Sequence, residues 1–322
     1  MKTILLTNRY TGTPLEIVKG ELPPGFALEF LDRQEHDCLV AQARDADYIL
    51  AGGRMKLTAD VLDNAPRLKM IQRSGVGLDA LDLDAIRAHG IPLYVNQGVN
   101  AQSGAEHTLM LILACLRRLT VIHANTRNGI WKKQEQGVQT AELRGKTVGI
   151  IGMGNIAKAL VALLKPFGIS ILYCNLVREP AAFEAENNME FVPLDDLLSR
   201  SDIVTVHCAL TDATKNLISA DAIAKMKDGA ILINTARGQI VDVQALADAL
   251  RGGKIAFAGI DAHVQEPIPD DYPLKGIDQA ILTPHIAGVT GDSFRAMMHG
   301  AFTNIALFDA GRTEEIARFR YI

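Results

Sequence analysis

An excess of positive charge, a cysteine framework and a long apolar run are all missing from this 322-residue chain, and each shortage removes a class of function. Lys and Arg number 33 against 37 Asp and Glu, for a net charge of -4, and no arginine-rich run breaks the balance. That leaves no electrostatic footprint for nucleic acid. The four cysteines, Cys38, Cys115, Cys174 and Cys208, are scattered without C-x-x-C spacing, which suits a reducing, cytoplasmic setting and predicts neither a disulfide framework nor a metal site. The densest apolar stretch, 109–116, is flanked by Glu106, His107, Arg117 and Arg118. It is too short to span a bilayer and reads as a buried helix, so no membrane partner is expected. The opening MKTILLT reads as a first strand, since its apolar part is too short for a signal peptide and no small-residue cleavage site follows. The single tryptophan, Trp131, sits in a polar stretch, 126–142, expected to cross the surface.

What the chain does hold is an ordinary core supply: 48% hydrophobic and 22% charged residues over a length that fits two domains. Residues 1 to 100 alternate short apolar runs at 3–6, 48–50, 70–71 and 91–95 with amphipathic stretches, and the alternation resumes after residue 146. This predicts an α/β protein of two doubly wound parallel-sheet domains. Residues 1–100 and 288–322 form a flavodoxin-like substrate-binding domain, and 101–287 form a Rossmann-type domain inserted into it. Residues 101–119 read as one long helix, apolar nearly all round. Such a helix is buried on several sides, in a core or against a second subunit of a homodimer. His107 on it reads as an interface or core residue rather than a catalytic one.

Thr147 to Ile151 is a β-branched apolar run followed at once by Gly152, Met153, Gly154, Asn155, Ile156 and Ala157, a G-x-G-x-x-A pattern opening a helix. Strand, glycine turn and helix in that order make a dinucleotide site. Gly152 permits the tight turn, Gly154 lets a pyrophosphate approach, and the first helical turn, with Asn155 and Ile156, offers free N–H groups. An acidic residue about 20 positions on usually binds the adenosine ribose. Here that position is Asn175, and Arg178 follows closely. Asn lacks the charge that repels a 2′-phosphate and Arg178 attracts one, so the cofactor is NAD(H) or NADP(H). Alternatively, Arg178 is a solvated residue of a polar turn.

Three further stretches leave predicted strands at one sheet edge: Asn234-Thr235-Ala236-Arg237-Gly238, Asp261 with Glu266-Pro267, and Thr283-Pro284-His285. Together they supply an arginine able to grip a carboxylate by two parallel hydrogen bonds and a histidine with a carboxylate partner. With Ser74-Gly75-Val76-Gly77-Leu78-Asp79, Ala105-Glu106-His107-Thr108, Gly145 to Ile156, Val241-Asp242 and Thr283 to Gly288, the chain resembles the D-isomer-specific 2-hydroxyacid dehydrogenases along nearly its whole length.

The resemblance implies interconversion of a 2-oxo acid and a D-2-hydroxy acid, as in a glyoxylate or hydroxypyruvate reductase. Arg237 would bind substrate carboxylate and carbonyl, His285 would be the acid/base, and Glu266 would keep His285 protonated. Val76 and Gly77 would give backbone N–H groups to the substrate. Asp261 would hold the nicotinamide carboxamide, while Cys208, Ala209, Thr235, Ala236, Arg237, His285 and Gly288 would also line the cofactor. The family also implies a homodimer. His263 departs from the family pattern and reads as a satisfied loop histidine. Arg54 and Arg73 stand in or near strand-end loops as possible second-anion groups or structural charges. Two rivals stay open: a superfamily dehydrogenase with another substrate, such as formate, where Gln replaces Glu266, and a dinucleotide-sensing binding protein of the same fold.

Overall fold

The computed structural model describes residues 1–53 and 55–322; Arg54, considered above, lies outside the described residues. The chain divides into two compact units, Met1–Asn100 with Thr290–Ile322, and Ala101–Val289.

The first unit is built on a parallel sheet of β1 (Lys2–Leu6), β2 (Phe26–Phe30), β3 (Tyr48–Ala51), β4 (Met70–Arg73) and β5 (Leu93–Tyr94), in the order β2-β1-β3-β4-β5. This is the flavodoxin-like order. The alternation of side chains along a strand splits the apolar runs between two cores. Leu5, Ile49, Ile71 and Leu93 face one way onto Leu39, Val61 and Ile86. Ile4, Leu6, Tyr48, Leu50 and Met70 face the other onto Phe294, Met298, Phe302 and Ile305 of the helix Gly291–Asp309. That helix starts on a capping box between Thr290 and Ser293. At its end Asp309 accepts from Tyr48 Oη at 2.6 Å and pairs with Lys2.

The second unit carries β6 (Thr147–Ile151), β7 (Ser170–Cys174), β8 (Met189–Phe191), β9 (Ile203–Val206), β10 (Ala230–Asn234), β11 (Ile255–Ile260) and β12 (Ala280–Leu282). All pair in parallel, in the order β12-β11-β10-β9-β6-β7-β8. The order reverses between β6 and β9, the switch point at which such sheets bind ligands beyond their carboxyl ends.

One expectation needs correcting. The predicted 101–119 helix ends at Leu116, and a second helix, Leu119–Arg127, leaves at 60° to it. The break is Arg118, held in the left-handed region at φ 50 without being glycine. The 126–142 stretch contains a short helix, Lys133–Gly137. The edge strands β2 and β8 match none of the expected apolar runs, being less buried than the central strands. Among the described residues no single helix is long and apolar enough to cross a membrane.

Candidate active site

Every chemistry-bearing stretch of the second unit leaves a strand at the same edge, because all seven strands run in parallel. At the switch point Gly152 has φ 90, and a Cβ there would stand 2.6 Å from Cys208 N and 2.7 Å from its Cα. Glycine is therefore required twice over, by backbone conformation and by the close passage of the chain after β9. Gly152 N–H also donates to Cys174 O at 2.9 Å, tying the turn to β7. Gly154 caps the helix Asn155–Leu164 with no side-chain cap, and a Cβ on it would project into open space. An uncapped helix start under an open glycine fits a dinucleotide's pyrophosphate.

Beyond β7, Asn175 Nδ2 donates to Val177 O at 3.0 Å, so the side chain closes its own turn. Arg178 forks onto Glu184, Nε to Oε1 at 2.9 Å and Nη2 to Oε2 at 2.8 Å. Tyr173 Oη donates to the same carboxylate at 2.6 Å and accepts Glu179 N–H at 2.8 Å. These bonds, the Arg178 fork first, hold the Glu184 carboxyl down at about 2, while burial and the Glu184 bond push the Tyr173 phenol up to about 12. Arg178 is thus charge-balanced by Glu184 while its side chain stays largely exposed.

At the end of β10, buried Asn234 clasps the turn that follows: its Oδ1 accepts Ala236 N–H at 3.0 Å and its Nδ2 donates to Arg237 O at 2.9 Å. Thr235 Oγ1 meets Thr108 Oγ1 at 3.0 Å. The Arg237 guanidinium donates from Nη1 to Ala236 O at 2.7 Å. Gly238 brings this turn against the chain after β11, since a Cβ on it would fall 2.1 Å from the His263 carbonyl carbon. No other residue type allows that approach.

Asp261, wholly buried, accepts Thr283 Oγ1 at 2.6 Å and Ile286 N–H at 2.9 Å on Oδ1, and Ala287 N–H at 2.8 Å on Oδ2. It therefore grips the turn on both sides of His285, whose φ of 58 is a left-handed conformation. For a non-glycine residue this costs on the order of 1–2 kcal/mol, which the surrounding bonds must offset. His285 Nδ1 lies 2.9 Å from Glu266 Oε2, and Glu266 Oε1 accepts His263 N–H at 2.7 Å. The structure brings the histidine and its carboxylate together.

His263 is buried, with Nε2 donating to Thr283 O at 2.9 Å. Its Nδ1 lies 3.0 Å from Tyr272 Oη. Both nitrogens are satisfied. Cys208 and Ala209 follow β9, and Gly288 lies in the turn beyond His285. In the first unit Val76 is exposed on the loop after β4, and Arg73 fixes that edge by donating to Gly77 O at 2.7 Å and to Ala51 O and Gly53 O at 3.1 Å each. Among the described residues no group of three or more His, Cys, Asp or Glu side chains is placed to hold a metal ion.

Residues 109–287, more than half of the chain, match the family description "D-isomer specific 2-hydroxyacid dehydrogenase, NAD binding domain". The chain belongs to the D-isomer-specific 2-hydroxyacid dehydrogenases.

Within this family of oxidoreductases, the chain is similar to a glyoxylate reductase of Thermofilum pendens, 40% identical over 83% of this chain and 79% of the relative. It is also similar to a hydroxypyruvate reductase of Thermotoga maritima, 35% identical over 81% and 84%. It spans about half the length of the mycobacterial D-3-phosphoglycerate dehydrogenases that it matches as well. A D-lactate dehydrogenase of Aquifex aeolicus, complexed with NAD and lactic acid, superposes with a TM-score of 0.86 at 28% identity, over 99% of this chain and 98% of that one. Ser103, His107 and Thr283 also bond around the turn that carries His285. Their partners lie far away along the chain, 176 residues for His107 and Thr283, so no local spacing marks them.

Proposed function

We propose that the protein reduces a small 2-oxo acid, of the size of glyoxylate or hydroxypyruvate, to the corresponding 2-hydroxy acid. The observation that carries this reading is the His285–Glu266 pair, 2.9 Å apart, at the same sheet edge as Arg237 and the glycine turn. NAD(P)H, when bound, supplies the hydride that reaches the carbonyl carbon. Gly152, Gly154, Asn155 and Ile156 would hold its phosphates, Asn175 and Arg178 its adenosine end, and Cys208, Ala209, Thr235, Ala236, Asp261 and Gly288 the rest.

Negative charge then develops on the substrate oxygen, where the Arg237 guanidinium stabilises it. His285 gives its Nε2 proton to that oxygen, while Glu266, facing Nδ1, stabilises the charged ring beforehand and fixes its orientation. Solvent restores the proton after product leaves. Val76 and Gly77 would bind the substrate carboxylate through backbone N–H groups. In the reverse direction the neutral ring, protonated on Nδ1 by its bond to Glu266, removes the hydroxyl proton with Nε2.

The site is expected to accept NADP(H) alongside NAD(H). Asn175 supplies no repelling charge, and the Glu184 fork leaves Nη1 of Arg178 to present to a 2′-phosphate while offsetting its charge. Converting Glu184→Gln removes that offset and should raise the kcat/KM ratio of NADPH to NADH on the order of tenfold; Arg178→Ala should lower it. Steady-state kinetics with both cofactors checks this, and an unchanged ratio in both variants refutes it.

Dimerisation and a reducing compartment complete the proposal. Leu119, Ile130, Trp131 and Val138 are exposed together on 119–138, which supports a second copy covering them. All four cysteines are unpaired thiols. The functional test follows nicotinamide absorbance with glyoxylate, hydroxypyruvate, pyruvate and phenylpyruvate. Turnover of glyoxylate or hydroxypyruvate above the larger acids is expected; silence across the panel with cofactor still bound would favour a dinucleotide-sensing role instead.

A further inference from the structure

The helix Ala101–Leu116 places Ser103 and His107 one turn apart, on one face. Both side chains reach the segment that carries His285. Ser103 Oγ donates to Ala287 O at 2.8 Å, two residues after His285. His107 Nε2 stands 3.1 Å from Thr283 Oγ1, two residues before it, and 3.5 Å from Asp261 Oδ1. The imidazole is nearly buried, its side chain 12% exposed.

The proton directions in this cluster are determined by what each group is able to do. A carboxylate only accepts, so the Thr283 hydroxyl spends its one proton on Asp261. Its oxygen must then accept from His107, which makes Nε2 the protonated nitrogen. The result is a directed chain: His107 Nε2–H to Thr283 Oγ1, Thr283 O–H to Asp261, and Asp261 accepting the N–H groups of Ile286 and Ala287. Asp261 is wholly buried, so every donor it has counts toward keeping its charge in place. Without His107 the Thr283 hydroxyl has no donor holding its rotamer and is freer to turn away from Asp261.

We propose that His107 is a positioning residue for the reaction: through Thr283 and Asp261 it holds the left-handed turn that aims His285. This rests on the assignment of His285 as the proton donor. The bond removed, His107 to Thr283, is itself neither a substrate nor a cofactor contact and reaches Asp261 only through the Thr283 hydroxyl. Loss of His107 should therefore fall on kcat and leave binding largely intact.

The test compares His107→Phe, which keeps an aromatic ring but no donor, with His107→Gln, whose amide N–H reaches toward the same hydroxyl, each also in a His285→Ala background. Thr283→Val provides a second break in the same chain with little change of volume. His107→Phe and Thr283→Val should each lower kcat on the order of tenfold, with KM for cofactor and oxo acid within about twofold, and His107→Gln should recover most of the loss. In His285→Ala, adding His107→Phe should cost nothing more, because its effect runs through the missing ring. Full kcat in both His107→Phe and Thr283→Val, equal losses in Phe and Gln variants, or an additive loss on top of His285→Ala would overturn the proposal. Wild-type turnover by His285→Ala alone would instead remove the acid assignment beneath it, a distinct outcome.

Discussion

His285→Ala lowers kcat for 2-oxo acid reduction on the order of a thousandfold, within the range that a positioned general acid contributes, while nicotinamide cofactor binding changes little. The turn survives the substitution because its anchors are Asp261, Thr283 and Ser103, not the imidazole. The same assignment gives the pH dependence a sign. Reduction needs the protonated ring, so its kcat/KM falls as pH rises; oxidation of the hydroxy acid needs the neutral ring and rises with pH. Glu266 favours the charged ring by its proximity, so Glu266→Gln should shift both limbs to lower pH. Steady-state profiles in both directions check this. A His285→Ala enzyme with normal turnover, or profiles that do not move in Glu266→Gln, would detach the histidine from proton transfer.

Arg237→Ala is expected to damage both kinetic constants, lowering kcat/KM on the order of a thousandfold, because in the proposed reaction the guanidinium serves binding and the developing charge at once. Arg237→Lys should recover only a small part: an ammonium supplies the charge without the planar fork. The backbone that carries it is firmly held. Asn234 holds the backbone on either side of it, and Gly238 lets the turn lie against the His263 backbone, where a Cβ would not fit. Saturation kinetics with the oxo acid separates the two effects. A change in KM with kcat intact would reduce Arg237 to a binding group.

Much of this site was legible in the sequence because its signals are local. A β-branched run meeting Gly152 and Gly154, and arginine, aspartate and histidine just past apolar runs, each announce themselves within a dozen residues. Parallel strand pairing then carries them to one edge. What stayed hidden depends on contacts between distant residues. His107 sits in an apolar helix and looks like core; its hydroxyl partner is Thr283. Asp261 was expected at the cofactor through resemblance, and its grip on the turn around His285 needs Ile286 and Ala287 folded back on it. The helix break at Arg118 has no glycine or proline to mark it. Arg178 was left between solvated charge and phosphate ligand; its partner Glu184 lies only six residues on, but the fork depends on the turn into the helix Ala181–Glu186.

The seven-strand order also separates two kinds of change. Arg237, Asp261 and His285 follow β10, β11 and β12 on one side of the switch point, while Asn175 and the Arg178–Glu184 pair follow β7 on the other, with β6 and β9 between them. Groups so far apart in a rigid sheet share no partners, and substitutions in them should add. On the proposed roles, a lineage built on this scaffold would be free to exchange one nicotinamide currency for another, residue by residue, without reopening the groups after β10, β11 and β12.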